Sequence, residues 1–215
     1  MRSICFWSAA PAILLGVMGL APAAMARPCP PGLPPGVYCG APDAALAPAG
    51  TYALDPAHAA VIARVPHIGY SWSVFRFDEV EGTLAWVPGH PSASKLSASV
   101  DTASIATNVP GFAKQLAGEE MLRSATFPRA TYVSTSFRRI DPTHASVDGQ
   151  FTLMGKTRPL TFAVDLVGAG KGFAGHPRLG VHATAAISPA DYGLPAMFDR
   201  PIDLVVDAEF EQKAR

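Results

Sequence analysis

The feature that most constrains the fold is an alternation of apolar and polar residues that recurs from about residue 51 onward. Such one-sided burial is typical of antiparallel strands, whose successive side chains point to opposite faces of a sheet. Clusters of Gly, Pro, Asp and Ser separate the runs. We predict an all-β fold, a barrel or sandwich of about eight strands. The clearest runs are residues 61–65, 96–100, 147–153, 160–164, 181–185 and 204–210.

One segment departs from this alternation. In residues 108–122, NVPGFAKQLAGEEML, Phe112 and Leu116 lie at helix-like offsets after the pair Pro110 and Gly111. The spacing predicts a short helical insertion, one or two helices packed on the sheet.

The segment QFTLMGKTRPL contains Gly155, Lys156 and Thr157, a triplet that also ends the phosphate-binding loops of nucleotide enzymes. Such a loop needs a second glycine five positions earlier and a helix directly afterwards. Here Gln150 occupies that earlier position, and the residues after Thr157 alternate like a strand. The triplet therefore predicts a turn between two strands.

The N-terminal residues 1–26 have the order of a secretory signal: basic Arg2, an apolar run over 4–20, and a small-x-small triplet ending at Ala26. We predict cleavage after Ala26 and a periplasmic or secreted protein. Pro11 interrupts the apolar run, and no other run is long enough to span a bilayer. We therefore expect no stable membrane span after cleavage.

Residues 27–50 are rich in Pro, Gly and Ala, which predicts an irregular N-terminal arm ahead of one folded domain, residues 51–215. Cys29 and Cys39 lie in this arm. In an oxidising compartment we expect them to form a disulfide, with free thiols as the alternative. A metal site would need further ligands nearby, and the arm has none.

The charges and polar motifs exclude several functions. The 17 basic and 17 acidic side chains balance without forming runs, which argues against nucleic acid as a partner. No His-x-x-x-His or Cys-x-x-Cys pair occurs, although His58 and His67 could meet as a weak metal site. Ser71 lies in a sequence that lacks the last glycine of a nucleophile elbow. We expect no metal, no cofactor and no catalytic residues.

Several short motifs follow one another along the predicted domain: YALDPAH (52–58), HIGYS (67–71), EGTL (81–84), SIAT (104–107), LRS (122–124), FTLMGKTRPL (151–160) and DYGL (191–194). Together they resemble the YceI-like domain family from about residue 51 to 210. The resemblance implies a lipocalin-like antiparallel barrel that holds a polyisoprenoid or related lipid. It also implies a homodimer and no established catalytic activity.

Some positions depart from the family pattern. Ala59 stands where the family usually has Ser, and Ala63 where it usually has Phe. Phe75 replaces a usual Gly, and the arm with its two cysteines is additional. Ala63 opens space inside the barrel whereas Phe75 takes space away, so these changes bear on the ligand more than on the fold.

A barrel of about eight strands either fills its interior with side chains or holds one ligand. The predicted inward positions include many small residues, among them Ala63, Ala98, Ala183 and Gly149. The residues alone favour an ordinary filled core, and the resemblance favours an open interior. The candidate ligand-contacting residues are Val61, Ala63, Val65, His67, Phe75, Leu96, Ala98, Val100, Tyr132, Phe151, Leu153, Phe162 and Val164.

A polar head on such a ligand would need one or two hydrogen-bond donors near a strand end. His58, Arg64 and Trp72 are the candidates. The leading hypothesis is a carrier for a polyisoprenoid, quinone-like or fatty-acyl chain. The alternatives are a hydrolase or redox-accessory enzyme of the cell envelope, and a structural or interaction module without a ligand.

Overall fold

The structure, a computed structural model, describes residues 29–172 and 175–213, so the predicted signal segment lies outside the described residues. The described helices are α1 Phe112–Ala117 and α2 Pro189–Tyr192. Neither is long and apolar enough to cross a membrane. The strands are β1 Gly50–His67, β2 Ser71–Phe77, β3 Val80–Trp86, β4 Lys95–Asp101, β5 Ile105–Ala106, β6 Arg129–Arg139, β7 His144–Leu153, β8 Lys156–Lys171, β9 Pro177–Ile187 and β10 Ile202–Gln212.

The strands form one antiparallel sheet that closes on itself. Neighbours follow the order β1, β3, β4, β6, β7, β8, β9 and β10, and β10 then pairs with β1. These eight strands confirm the predicted antiparallel barrel. On this edge of β1, β3 pairs with residues 50–53 and β2 with residues 61–67.

The strand directions define two ends of the barrel. What we call the helical end carries the β1–β2 turn, α1, the β7–β8 turn and α2. What we call the arm end carries the β3–β4, β6–β7 and β8–β9 connections together with the N-terminal arm. Because every barrel strand runs between these ends, inward side chains can line a space along the whole barrel.

Each end of the barrel has its own cluster of buried side chains. At the helical end, Phe75, Leu116 and Leu122 belong to a cluster that the α1 segment covers. At the arm end, Tyr52 and Leu84 belong to a second cluster that also contains an alanine of the arm. The two clusters share no residues, and small inward-facing residues lie between them in the middle of the barrel.

The Gly-Lys-Thr triplet lies at a tight turn, as predicted. Leu153 pairs with Lys156, and the two residues between them, Met154 and Gly155, have positive φ angles of 51° and 72°. Positive φ at both central positions suits the twist of a two-residue β-hairpin. A side chain at Gly155 would also place its Cβ 2.7 Å from the Phe127 ring.

The predicted helical insertion is confirmed within residues 108–122. Helix α1 begins after Gly111, whose φ of 76° lies in the left-handed region. Leu116 is buried in the helical-end cluster, and the Phe112 ring lies 6.2 Å from that of Phe75. The helix therefore covers the end of the barrel.

The N-terminal arm has little regular structure but is packed onto the barrel. Ala41 and Ala169 of β8 exchange two backbone hydrogen bonds of 3.0 and 2.8 Å. Ala47 is fully buried in the arm-end cluster, and its carbonyl accepts a hydrogen bond from the Trp86 indole at 3.2 Å. The arm thus supplies part of the core at this end.

A disulfide joins Cys29 and Cys39, whose Cα atoms are 5.7 Å apart. Residues 29–40 are exposed throughout. The bond therefore closes a small loop outside the barrel, before the arm meets β8.

Candidate ligand-binding cavity

A cavity of about 300 Å³ occupies the barrel interior. Its walls are almost entirely apolar and come from all eight strands of the closed barrel. Phe75 and Leu116 of the helical-end cluster line it, and so do Leu84 and Phe210 of the arm-end cluster. The cavity therefore runs along the barrel and separates the two clusters.

The cavity exists because inward positions near the middle of the barrel carry small side chains. Ala63, Ala98, Ala183 and Ala208 all line it. Ala63 and Ala98 are only half-buried although they point inward. Their accessible surface therefore faces the cavity, as expected for a barrel that its own side chains do not fill.

Nearly all predicted ligand-contacting residues lie on the cavity wall. His67 does not: it is exposed, ends β1 and pairs with Ser71 beside the β1–β2 turn. The side chains on the wall are Val61, Ala63, Val65, Phe75, Leu96, Ala98, Val100, Tyr132, Phe151, Leu153, Phe162 and Val164.

The three candidates for binding a polar head lie outside the cavity. Arg64 alternates with inward neighbours and therefore faces outward, where its guanidinium lies 4.9 Å from the centre of the Trp72 ring. His58 lies in an irregularity of β1 and hydrogen-bonds Asp55 at 2.8 Å. None of the three lines the cavity, because position near a strand end does not decide which face a side chain occupies. Their contact with a ligand head stays a prediction.

Tyr132 lies on the wall, but its hydroxyl is already engaged. It donates to the backbone carbonyls of Val147 and Leu160 at 2.8 and 3.3 Å. Burial is the main reason that the pKa of Tyr132 is raised, and the charge of Asp148 adds to it. Tyr132 therefore contributes an apolar ring to the cavity, not a hydrogen-bond donor.

The interpretation of Gly149 as open space also needs correction. A Cβ at Gly149 would lie 2.4 Å from the Tyr132 side chain, so that ring covers the glycine. The ring of Phe162 packs edge-on against Tyr132 with centroids 5.0 Å apart. The glycine thus makes room for an aromatic pair, and the cavity owes its width to the alanines.

Sequence reasoning missed part of the lining. On β3 the inward positions Val80, Leu84 and Trp86 also line the cavity. The same period-two alternation of the sequence could have predicted them. Met121 and Phe198 also line the cavity, from loops at the helical end that have no period-two pattern. Only the three-dimensional structure brings such loop residues to the barrel.

The cavity meets the protein surface at the arm end. Exposed residues of the β6–β7 turn belong to its lining there, whereas the α1 segment covers the opposite end. We call this opening the mouth. It is formed by Ala44, Pro88, Pro91, Arg139, Asp141, Pro142, Thr143 and His144.

Asp141 organises the turn at the mouth. Its carboxylate accepts backbone hydrogen bonds from Thr143 and His144, both at 2.9 Å, and contacts the His144 ring at 2.7 Å. The Thr143 amide is the main cause of the lowered pKa of Asp141, and the contacts with His144 add to it. The carboxylate is therefore occupied by its own turn.

A separate polar cluster lies away from the cavity lining, where β1, β9 and β10 meet. Arg178 contacts Asp55 at 2.8 Å and both Glu209 and Glu211 at 2.5 Å. Partial burial works to raise the pKa of Asp55, but hydrogen bonds from His58 and Arg178 outweigh it and lower that pKa. Asp55, His58 and Glu209 have ligand atoms within 4.8 Å of one another, but Arg178 already bridges the two carboxylates.

Ser71 does not have the surroundings of a nucleophile elbow. It is exposed and begins β2 directly after a turn, so a strand follows it where that motif has a helix.

The closed antiparallel barrel and its long apolar cavity define the class of lipocalin-like barrels. A sequence model of the YceI-like domain matches residues 52–210, and the chain belongs to this family. Protein YceI of Escherichia coli O157:H7 is 32% identical over 178 residues, 80% of this chain and 92% of that protein. A UPF0312 protein of Shewanella sp. strain ANA-3 is 34% identical over 166 residues, 74% of this chain and 87% of that protein.

Solved structures share the fold at low sequence identity. BcnA of Burkholderia cenocepacia aligns with a TM-score of 0.65 at 16% identity, covering 73% of this chain and 98% of BcnA. A polyisoprenoid-binding domain of Saccharophagus degradans aligns with a TM-score of 0.60 at 16% identity, covering 75% of this chain and 98% of that domain.

Proposed function

We propose that this protein binds a long apolar molecule inside its barrel and carries it through an aqueous compartment. The polyisoprenoid, quinone-like and fatty-acyl chains are the ligand classes that suit the cavity. The observation that carries the proposal is the apolar cavity of about 300 Å³ between the two buried clusters. Membership of the YceI-like family and the structural likeness to a polyisoprenoid-binding domain support it.

The wall chemistry fits a hydrocarbon tail. Each methylene removed from water contributes about 0.8 kcal/mol, so about ten of them contribute about 8 kcal/mol. That free energy corresponds to a Kd of about 1 μM before the cost of lost ligand motion is subtracted. A tail of this kind needs few polar contacts, and the lining offers few.

We propose that the carrier works in the periplasm or outside the cell, because the N-terminal residues have the pattern of a cleaved secretory signal. A water-filled compartment between two membranes is where a hydrocarbon tail needs shielding. We propose neither a catalytic role nor a cofactor. The homodimer that the family resemblance implies stays a prediction.

The test is to express the chain with its own N-terminus in a Gram-negative host and to purify it from the periplasmic fraction. Native mass spectrometry should find an apolar molecule bound to it, and the mature protein should begin after Ala26. A protein that neither retains an apolar molecule nor takes one up from detergent-free lipid dispersions would contradict the proposal.

A pair of variants assigns the binding to the cavity. Ala63→Phe places a ring inside the cavity and should reduce the bound amount. Ala186→Phe places the same ring on the outward face of β9 and should leave the amount unchanged. Equal loading of the two variants would show that the ligand lies elsewhere.

A further inference from the structure

We propose that the mouth selects ligands with an anionic oxygen head, a carboxylate or a phosphate, through the guanidinium of Arg139. This inference rests on the proposed function, since it concerns the head of the molecule whose tail fills the cavity. Arg139 is the single Lys or Arg among the described residues that line the cavity.

A bulge in β6 explains why this arginine faces the cavity. The pairing of β6 with β7 shifts between Ser134 and Ser136. Before the shift the even-numbered Tyr132 lines the cavity, and after it the odd-numbered Phe137 and Arg139 do. One inserted residue exchanges the two faces of a strand. Without the bulge, Arg138 would occupy the inward face in place of Arg139.

The neighbouring Arg138 provides the contrast. It faces outward and donates to the Ser146 hydroxyl at 3.0 Å. Two adjacent arginines therefore have the same charge and almost the same position along the barrel, but only one of them lines the cavity.

The acidic groups near Arg139 are engaged elsewhere. The Asp141 carboxylate contacts the amides of its turn and the His144 ring, and Asp165 lies 3.6 Å from the other nitrogen of that ring. Arg139 itself donates through Nε to the backbone carbonyl of Asp141 at 3.1 Å. Among the described residues, no carboxylate lies within 4 Å of its guanidinium.

This arrangement suits a head with two anionic oxygens. The Nε contact orients the guanidinium, and the two terminal nitrogens keep their hydrogen atoms for a ligand. A planar guanidinium binds carboxylate and phosphate oxygens with two parallel hydrogen bonds. A ligand whose tail enters the cavity would place such a head at the mouth, where it replaces water as the partner of Arg139.

The experiment compares ligands that share a tail and differ in the head. The pairs are hexadecanoic acid with its methyl ester, and farnesyl phosphate with farnesol. Binding to ligand-stripped protein is measured by displacement of a fluorescent apolar probe at pH 7.5. The wild type should bind each anion about tenfold to a hundredfold more tightly than its neutral partner, the range of a charge-assisted hydrogen bond.

Arg139→Gln should weaken binding of the two anions and so remove this preference, whereas the matched control Arg138→Gln, which lies outside the lining, should retain it. A preference for the fatty acid alone would identify the ligand as a fatty-acyl compound, and a preference for the phosphate alone would identify it as a prenyl compound. Equal binding of acid and ester by the wild type would overturn the inference while the proposed function stands. If no ligand of either pair binds, the proposed function itself fails.

Discussion

Filling the cavity with a protein side chain should separate ligand binding from stability. Ala98 lies on β4 between Gly82 of β3 and Tyr132 of β6, lines the cavity and is half-buried. In Ala98→Phe the new ring would enter the space that the ligand tail is proposed to use. Because that space is empty of side chains, the ring should occupy it without displacing the wall.

The expected magnitudes follow from the cavity volume. A cavity of about 150 Å³ accommodates one benzene molecule, and the cavity here has about twice that volume. A buried aromatic ring contributes about 1.5–3 kcal/mol, and overpacking costs about 1–3 kcal/mol only where the wall must move. We therefore expect ligand-free Ala98→Phe to be as stable as the wild type, or up to about 2 kcal/mol more stable.

Binding should change in the opposite direction. The ring takes the room of about six tail carbons, which at about 0.8 kcal/mol each amounts to a loss of up to about 5 kcal/mol. This loss corresponds to a rise in Kd of up to about four thousandfold. Urea unfolding of the ligand-stripped protein measures the stability, and displacement of a fluorescent probe measures the affinity.

The control is Ala163→Phe, which places the ring on the exposed face of β8 and should change neither quantity appreciably. The reasoning is refuted if Ala98→Phe unfolds more than about 2 kcal/mol more easily than the wild type and still binds with unchanged affinity. That result would mean that the side chain enters a packed core and not the ligand site.

Two further predictions concern the frame of the barrel. Arg178→Met should lower the free energy of unfolding by about 2–3 kcal/mol at pH 7, less than the loss of a fully buried pair. Arg129→Met, which removes the exposed ion pair with Glu81, should lower it by under about 1 kcal/mol. The folded-state pKa of Asp55 is lowered, so the stability that Asp55 contributes is present above its unfolded pKa and is lost as the pH falls through the folded value. The difference in unfolding free energy between Arg178→Met and the wild type, measured in urea, should therefore shrink below about pH 4. A difference that does not change with pH would contradict this. Gly155→Ala should cost more than Gly69→Ala in the same assay, because both glycines have positive φ but only Gly155 lies against Phe127; equal costs would exclude a role for that contact.

The period-two pattern was sufficient to predict the inward faces of several strands. Ala98 and Phe162 line the cavity because alternation within an uninterrupted strand fixes the face of every side chain. The same logic, applied to Gly149, did not foresee that the Tyr132 ring crosses above it. The size of an inward residue is visible in a sequence, but the direction of a neighbouring ring is not.

The mouth could not be predicted from sequence for a related reason. The face that Arg139 occupies depends on a bulge between Ser134 and Ser136, and the local sequence does not specify the pairing that produces it. The contact between Arg178 and Asp55 joins residues 123 positions apart, which only closure of the barrel brings together. Periodicity therefore cannot predict features that depend on a strand irregularity or on contacts between residues far apart in the sequence.

The pairing of β10 with β1 has a consequence for how the molecule is made. The first barrel strand to leave the ribosome, β1, finds its final partner only when the last one has been synthesised. Until then β1 exposes an unpaired edge, and such edges promote aggregation. A chain cut short before residue 202 would keep that edge permanently. Nascent copies therefore gain from remaining unfolded until the C-terminus is available, and the export that we propose would require the same unfolded state.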